Sequence, residues 1–207
     1  MKLQVAIDRV TLEEAVELAS QLNGKVDIIE MGTSLIKDYG NEAIVKLKEV
    51  LPNSQLLVDI KTIDEGQYEF SQGFKHGADM LTVMGAASLD TIRLCEQVAK
   101  DYQKTMMIDL LEVENSKIEQ LQEFESAIFC VHHSIDKTDS WNVVETVAGF
   151  KEKFPQIKRL AIAGGIDLFQ AEKLKKQGLM EIVIVGSSIT KTTEPEIKAK
   201  KFMEVIV

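Results

Sequence analysis

The stretch Leu3-Gln4-Val5-Ala6-Ile7-Asp8-Arg9-Val10-Thr11-Leu12-Glu13-Glu14-Ala15-Val16-Glu17-Leu18-Ala19 holds one complete strand-to-helix unit. Its first half alternates, with Leu3, Val5 and Ile7 on one face and Gln4 and Ala6 on the other, which is the period of a strand between two environments. Its second half changes period. Ala15, Val16, Leu18 and Ala19 form a helical stripe, and Thr11 with Glu14 three residues on forms a capping box that starts it. The link between them, Asp8-Arg9-Val10, contains no glycine, whereas a doubly wound open sheet carries a glycine fingerprint after its first strand. That alternative is therefore the less favoured architecture.

The same unit recurs along the chain. Apolar, β-branched runs predict strands near 3–7, 26–30, 55–60, 79–84, 104–109, 126–131, 158–162 and 181–185, each followed by an amphipathic segment. Ser88 and Asp167 mark two further helix starts. Eight strand–helix repeats at a spacing of about 25 residues pair in parallel through right-handed crossovers and close into a (β/α)8 TIM barrel. The 207 residues suffice for one such barrel over 1–207, with short loops and no second domain.

An apolar fraction of 45% with 28% charged residues is ordinary for a soluble globular protein. The net charge of −9, without basic runs or interleaved aromatics, argues against nucleic acid or an anionic membrane as the main partner. The first seven residues are too short and too alternating for a signal peptide, and no apolar run approaches the length of a membrane span, which points to the cytoplasm. Cys95 and Cys130 lack metal-finger spacing and read as reduced core thiols.

In a barrel of this kind chemistry sits at the carboxyl ends of the strands. Read there, strand one leads to Asp8, strand two to Glu30, strand five to Asp109 and strand six to His132, while strand four offers only Thr82 and Met84. Strand three runs into Asp59-Ile60-Lys61-Thr62-Ile63-Asp64. Alternation puts Asp59 and Lys61 on one face and leaves Asp64 in the loop, so two carboxylates surround one lysine. Singly, such residues are more often helix caps or surface ion pairs. Together, four carboxylates at one rim repel unless cations share the site. Lys61 is one cation, and Mg²⁺ held by Glu30 and Asp59 is the natural second, because hard divalent cations take oxygen ligands.

Strands seven and eight end in Ala163-Gly164-Gly165-Ile166-Asp167 and Val185-Gly186-Ser187-Ser188-Ile189. Glycine lets backbone N–H groups approach an anion closely, and phosphate binds after these two strands in many barrels, so the substrate is expected to be a small phosphorylated molecule. His132 is the rim side chain whose ordinary pKa lies near neutrality, which suits a base and proton shuttle. Carboxylates beside Lys61 raise its pKa, opposite to the needs of a Schiff-base lysine. His133 should point to the opposite face and His76 reads as a helix end; neither is assigned a role.

The strand-end set Asp8, Glu30, Asp59-x-Lys61-x-x-Asp64, Asp109, His132, Gly164-Gly165 and Gly186-Ser187 resembles the orotidine monophosphate decarboxylase suprafamily over the full chain, and within it the 3-hexulose-6-phosphate synthases. The close relative, 3-keto-L-gulonate-6-phosphate decarboxylase, usually ends its fifth strand in Glu and carries an Arg three residues after the strand-six His. Asp109 and Ile135 here match the synthase pattern; His133-Ser134 departs from its common Thr-Gly. The resemblance implies an Mg²⁺-dependent aldol reaction of D-ribulose 5-phosphate with formaldehyde through a 1,2-enediolate. It implies that Lys61 supports the enediolate, that Asp8 and Asp109 bind substrate hydroxyls, and that Gly165, Gly186 and Ser187 hold the phosphate. It further implies a homodimer in which Asp64 reaches the neighbouring site. The decarboxylase reaction and a non-catalytic sugar-phosphate sensor are the alternatives.

Overall fold

The computed structural model describes residues 1–134, 136 and 141–207. Eight parallel strands close into a barrel in chain order: β1 (Lys2–Ile7), β2 (Ile28–Met31), β3 (Gln55–Thr62), β4 (Met80–Met84), β5 (Thr105–Asp109), β6 (Ile128–His132), β7 (Leu160–Ala163) and β8 (Ile182–Val185), with β8 pairing back to β1. Between them run α1 (Leu12–Leu22), α2 (Thr33–Glu49), α3 (Gly66–Lys75), α4 (Leu89–Asp101), α5 (Asn115–Leu121), α6 (Val143–Lys153) and α7 (Leu168–Gln177). A short α8 (Ser187–Thr190) and α9 (Pro195–Ile206) follow β8. No described helix is long and apolar enough to cross a membrane.

Strand alternation divides the interior into two cores. Leu3, Val5 and Ile7 pack outward against the helices, whereas Ile28, Leu57, Met80, Met107, Ile128, Ala161 and Ile182 fill the barrel itself. The helix starts follow the local signals: Thr11 and Asp167 form complete capping boxes and Ser88 accepts from the Thr91 N–H. Both cysteines are free and buried, Cys95 in α4 and Cys130 inside the barrel.

The two rims are built differently. At the amino-terminal rim, carboxylates just ahead of strands tie neighbouring strands together: Asp27 accepts from the Leu3 N–H (2.9 Å), and Asp79 accepts from the Leu56 N–H (3.0 Å), Lys48 and Lys104 (both 2.5 Å). Burial would raise the Asp79 pKa, but Lys104, Lys48 and the Leu56 N–H outweigh it and hold the carboxyl below its ordinary range. Such residues serve stability, while the carboxyl rim is free for loops.

Strand boundaries depart from the sequence prediction where they matter for the site. β2 begins at Ile28 rather than 26 and continues past Glu30 to Met31. β3 runs two residues beyond 60, and its register with β4 shifts between Val58 and Thr62. Lys61, at φ 51°, lies in the left-handed region within this irregularity. An L-residue visits that region at a cost, so surrounding bonds must hold it there.

Candidate active site

A cavity of about 390 Å³ opens at the carboxyl rim, lined by Asp8, Glu30, Asp59, Lys61, Asp109, His132, Gly164, Gly165, Gly186 and Ser187. Nine of the ten residues singled out from the sequence as site residues therefore converge on it. The tenth, Asp64, is exposed in the loop between β3 and α3 and does not line the cavity.

Lys61 is indeed held between two carboxylates, but not the pair adjacent in sequence. Its Nζ lies 3.1 Å from Asp59 Oδ2 and 2.6 Å from Asp109 Oδ2, the latter supplied by β5. Burial alone would lower the lysine pKa; Asp59 and Asp109 overcome that and hold it well above its ordinary value, so it stays an ammonium ion. Asp109 also accepts from the Leu111 N–H (2.9 Å) and faces His132 Nδ1 at 3.0 Å. Burial would raise its pKa, but His132 and Lys61 together pull it down to about 2. An ionised Asp109 can only accept, so Nδ1 carries the hydrogen of this contact and Nε2 is the ring nitrogen not engaged by Asp109.

Glu30 and Asp59 stand on adjacent strands, both buried. Burial, then the neighbouring Asp59 charge, pushes Glu30 up to about 8, partly offset by a 2.6 Å hydrogen bond from Gln4 Nε2. Gln4 is fully buried, and among the described residues its Oε1 has no hydrogen-bond partner. Two adjacent carboxylates, one of them destabilised as an anion, and an orphaned amide oxygen in the same cavity fit a hard, oxygen-seeking cation. Among the described residues no group of three or more His, Cys, Asp or Glu side chains is arranged as a metal site, so water or substrate would supply the remaining ligands.

Asp8 both holds the local backbone and faces the cavity. Its Oδ1 accepts from Ser34 Oγ (2.8 Å) and the Ser34 N–H (3.2 Å), capping the start of α2 while lining the cavity. Gly32 makes room for it, because a Cβ there would fall 2.2 Å from the carboxylate. Across the mouth, Gly164 (φ 126°) and Gly165 (φ 60°) form a turn closed to L-residues without strain, and Ser188 Oγ donates to the Ile166 carbonyl at 3.1 Å, tying this turn to the β8 loop.

Several cavity residues escaped the sequence reading. Arg9 and Lys191 line the mouth, and among the described residues neither side chain has an ion-pair partner. Lone cations in loops carry no periodic signal. His133 does not turn away as strand alternation suggested: past the end of β6 it lines the cavity and stacks on Trp141, ring centroids 4.7 Å apart. Gln4 and Thr82 were visible as inward polar residues, but their partners were not. Cys130 also lines the cavity, where burial pushes its thiol well up and keeps it protonated. Ile135 lies outside the described residues.

Comparison with known proteins gives the family of the chain. The family model "Orotidine 5'-phosphate decarboxylase / HUMPS family" matches residues 1–202. The 3-hexulose-6-phosphate synthase of Bacillus subtilis is 32% identical, over 100% of this chain and 99% of that protein. The crystal structure of 3-hexulose-6-phosphate synthase from Salmonella typhimurium has a TM-score of 0.91 at 32% identity, covering 100% of this chain and 98% of that one. That of 3-keto-L-gulonate-6-phosphate decarboxylase from Vibrio cholerae has a TM-score of 0.87 at 26% identity, covering 99% and 96%. The chain is thus a (β/α)8 barrel of the orotidine 5'-phosphate decarboxylase / HUMPS family, and within it a 3-hexulose-6-phosphate synthase-like member.

Proposed function

We propose that the protein is an Mg²⁺-dependent 3-hexulose-6-phosphate synthase, joining D-ribulose 5-phosphate to formaldehyde in a reversible aldol reaction. The observation that carries this reading is the chain Asp59–Lys61–Asp109–His132, which sets a lysine held as a cation and a histidine ring on one carboxylate in one cavity. Magnesium bound by Glu30 and Asp59 would supply Lewis-acid polarisation of the ketone.

The chain's own residues account for the proton and charge movements. His132 Nε2 takes a proton from C1 of ribulose 5-phosphate, and the electron pair of that C–H bond moves to give the 1,2-enediolate. The Lys61 ammonium, fixed by two carboxylates, faces the developing oxyanion without rearranging, the condition under which electrostatic stabilisation is strongest. The C1=C2 electron pair of the enediolate then forms the bond from C1 to the formaldehyde carbon, as the C2 oxyanion returns to a ketone. The formaldehyde oxygen accepts the C=O electron pair and the proton returned by His132, giving D-arabino-hex-3-ulose 6-phosphate. Asp8 and Asp109 bind substrate hydroxyls, and the N–H groups of Gly165, Gly186 and Ser187 hold the phosphate, with Arg9 and Lys191 contributing positive charge to an otherwise acidic protein. Asp64, exposed and outside its own chain's cavity, is assigned to the neighbouring site of a homodimer.

The test is side-by-side turnover of ribulose 5-phosphate plus formaldehyde and of 3-keto-L-gulonate 6-phosphate, each with Mg²⁺ and with EDTA. The synthase reading expects formaldehyde-dependent loss of ribulose 5-phosphate that EDTA stops. Faster release of CO₂ from the gulonate substrate overturns it in favour of the decarboxylase, and tight binding without turnover of either substrate overturns it in favour of a sensor.

A further inference from the structure

Thr82 sits in the middle of β4, 3% exposed, with its side chain turned into the barrel and lining the cavity. Its hydroxyl donates to Asp59 Oδ1 at 2.7 Å and accepts from the Lys61 backbone N–H at 3.0 Å. One oxygen atom thus ties together both functional ends of Asp59-Ile60-Lys61.

The local backbone gives that bridge its significance. Lys61 is in the left-handed region, and it lies where the β3–β4 register shifts between Val58 and Thr62. A backbone donor displaced from a regular ladder still needs an acceptor, and here the Thr82 hydroxyl supplies one. The other Asp59 oxygen is fixed from the opposite side, by Thr33 Oγ1 at 2.6 Å and Lys61 Nζ at 3.1 Å. We propose that Thr82 is a positioning residue for the reaction: its hydroxyl sets the bulged conformation that carries Lys61 between Asp59 and Asp109. A threonine is suited to this because a hydroxyl can donate and accept at once, and because β-branching limits its rotamers. Without the hydroxyl, a buried carboxylate oxygen and a half-buried N–H both lose their partner.

This inference rests on the proposed reaction for its kinetic readout, so a readout independent of turnover accompanies it. Thr82→Val preserves shape and burial while removing the hydroxyl; Thr82→Ser restores the hydroxyl without the methyl. The holoprotein variants are compared by exchange of the ribulose 5-phosphate C1 proton in D₂O with Mg²⁺, by kcat and KM of the aldol reaction, and by the rate at which an acylating reagent labels Lys61, mapped by mass spectrometry. Thr82→Val is expected to lower kcat and C1 exchange about 100-fold with KM within about threefold, the mark of a displaced catalytic group rather than lost binding. Lys61 labelling should accelerate in Thr82→Val, and Thr82→Ser should return all three quantities towards the parent. Unchanged labelling in Thr82→Val, or a Thr82→Ser variant as impaired as Thr82→Val, overturns the role. If the parent exchanges no C1 proton, the proposed reaction fails, while the labelling comparison still decides whether Thr82 positions Lys61.

Discussion

Replacing Asp109 with asparagine should cost stability and activity together, in a way that depends on pH. Only 4% of the Asp109 side chain is exposed, and it accepts from Lys61, His132 and the Leu111 N–H. Its carboxyl is held at about 2 against an ordinary 3.8, which corresponds to about 2 kcal/mol of stability contributed by the ionised form. Because the folded-state pKa is the lower one, that contribution is complete above 3.8 and disappears as the pH falls through 2. The amide of the Asp109→Asn variant would match the carboxylate in shape but carry no charge, so it would also leave the half-buried Lys61 ammonium with Asp59 alone. The expected penalty at pH 7 is therefore about 2–4 kcal/mol, close to the range for a buried ion pair deprived of one partner. Urea unfolding of parent and Asp109→Asn at pH 7 and pH 3 measures it, and the difference between them should shrink at the lower pH. C1 exchange at pH 7 should fall by about 10³-fold or more, because an amide no longer selects the Nδ1–H tautomer of His132 as a carboxylate does. An Asp109→Asn protein as stable as the parent at pH 7, or a penalty identical at both pH values, would refute this account of the Lys61–Asp109–His132 cluster.

Other perturbations separate proton transfer, substrate charge and folding. His132→Asn should slow C1 exchange by about 10²–10⁴-fold with the fold retained; unchanged exchange in D₂O by NMR would remove His132 as the base. Arg9→Ala combined with Lys191→Ala should raise KM for ribulose 5-phosphate about tenfold and change kcat little, and the parent's KM should climb with ionic strength more steeply than the variant's. Equal KM values in a steady-state assay would show that these cations do not meet the phosphate. Asp79→Asn, at the opposite rim, should lower stability by about 1–3 kcal/mol, because Lys48, Lys104 and the Leu56 N–H lose an anionic acceptor, while kcat per folded molecule stays constant. Its stabilising effect, like that of Asp109, belongs to the pH range above an ordinary carboxylate pKa and fades in acid.

The amino-acid sequence by itself determined the architecture and the inventory of the rim. Alternation in Leu3–Ile7, the Thr11–Glu14 capping box and the eightfold recurrence of that unit are local signals, and each survives in the fold because it reflects the backbone's own period and hydrogen-bonding needs. Strand ends could be read in turn for the same reason, and nine of the ten site residues so chosen face one cavity. Which of them touch was decided only by tertiary structure. Lys61 takes Asp109, 48 residues away, in place of its near neighbour Asp64, because barrel closure turns β3 and β5 towards one interior while Asp64 stays exposed in the loop outside the cavity. His133 escapes alternation past the end of its strand, and Arg9 and Lys191 reach the mouth from loops that have no period at all. Periodicity specifies the face on which a side chain lies; the strand that faces it across the barrel is specified by closure, register and bulges, which exist only once the whole sheet has formed.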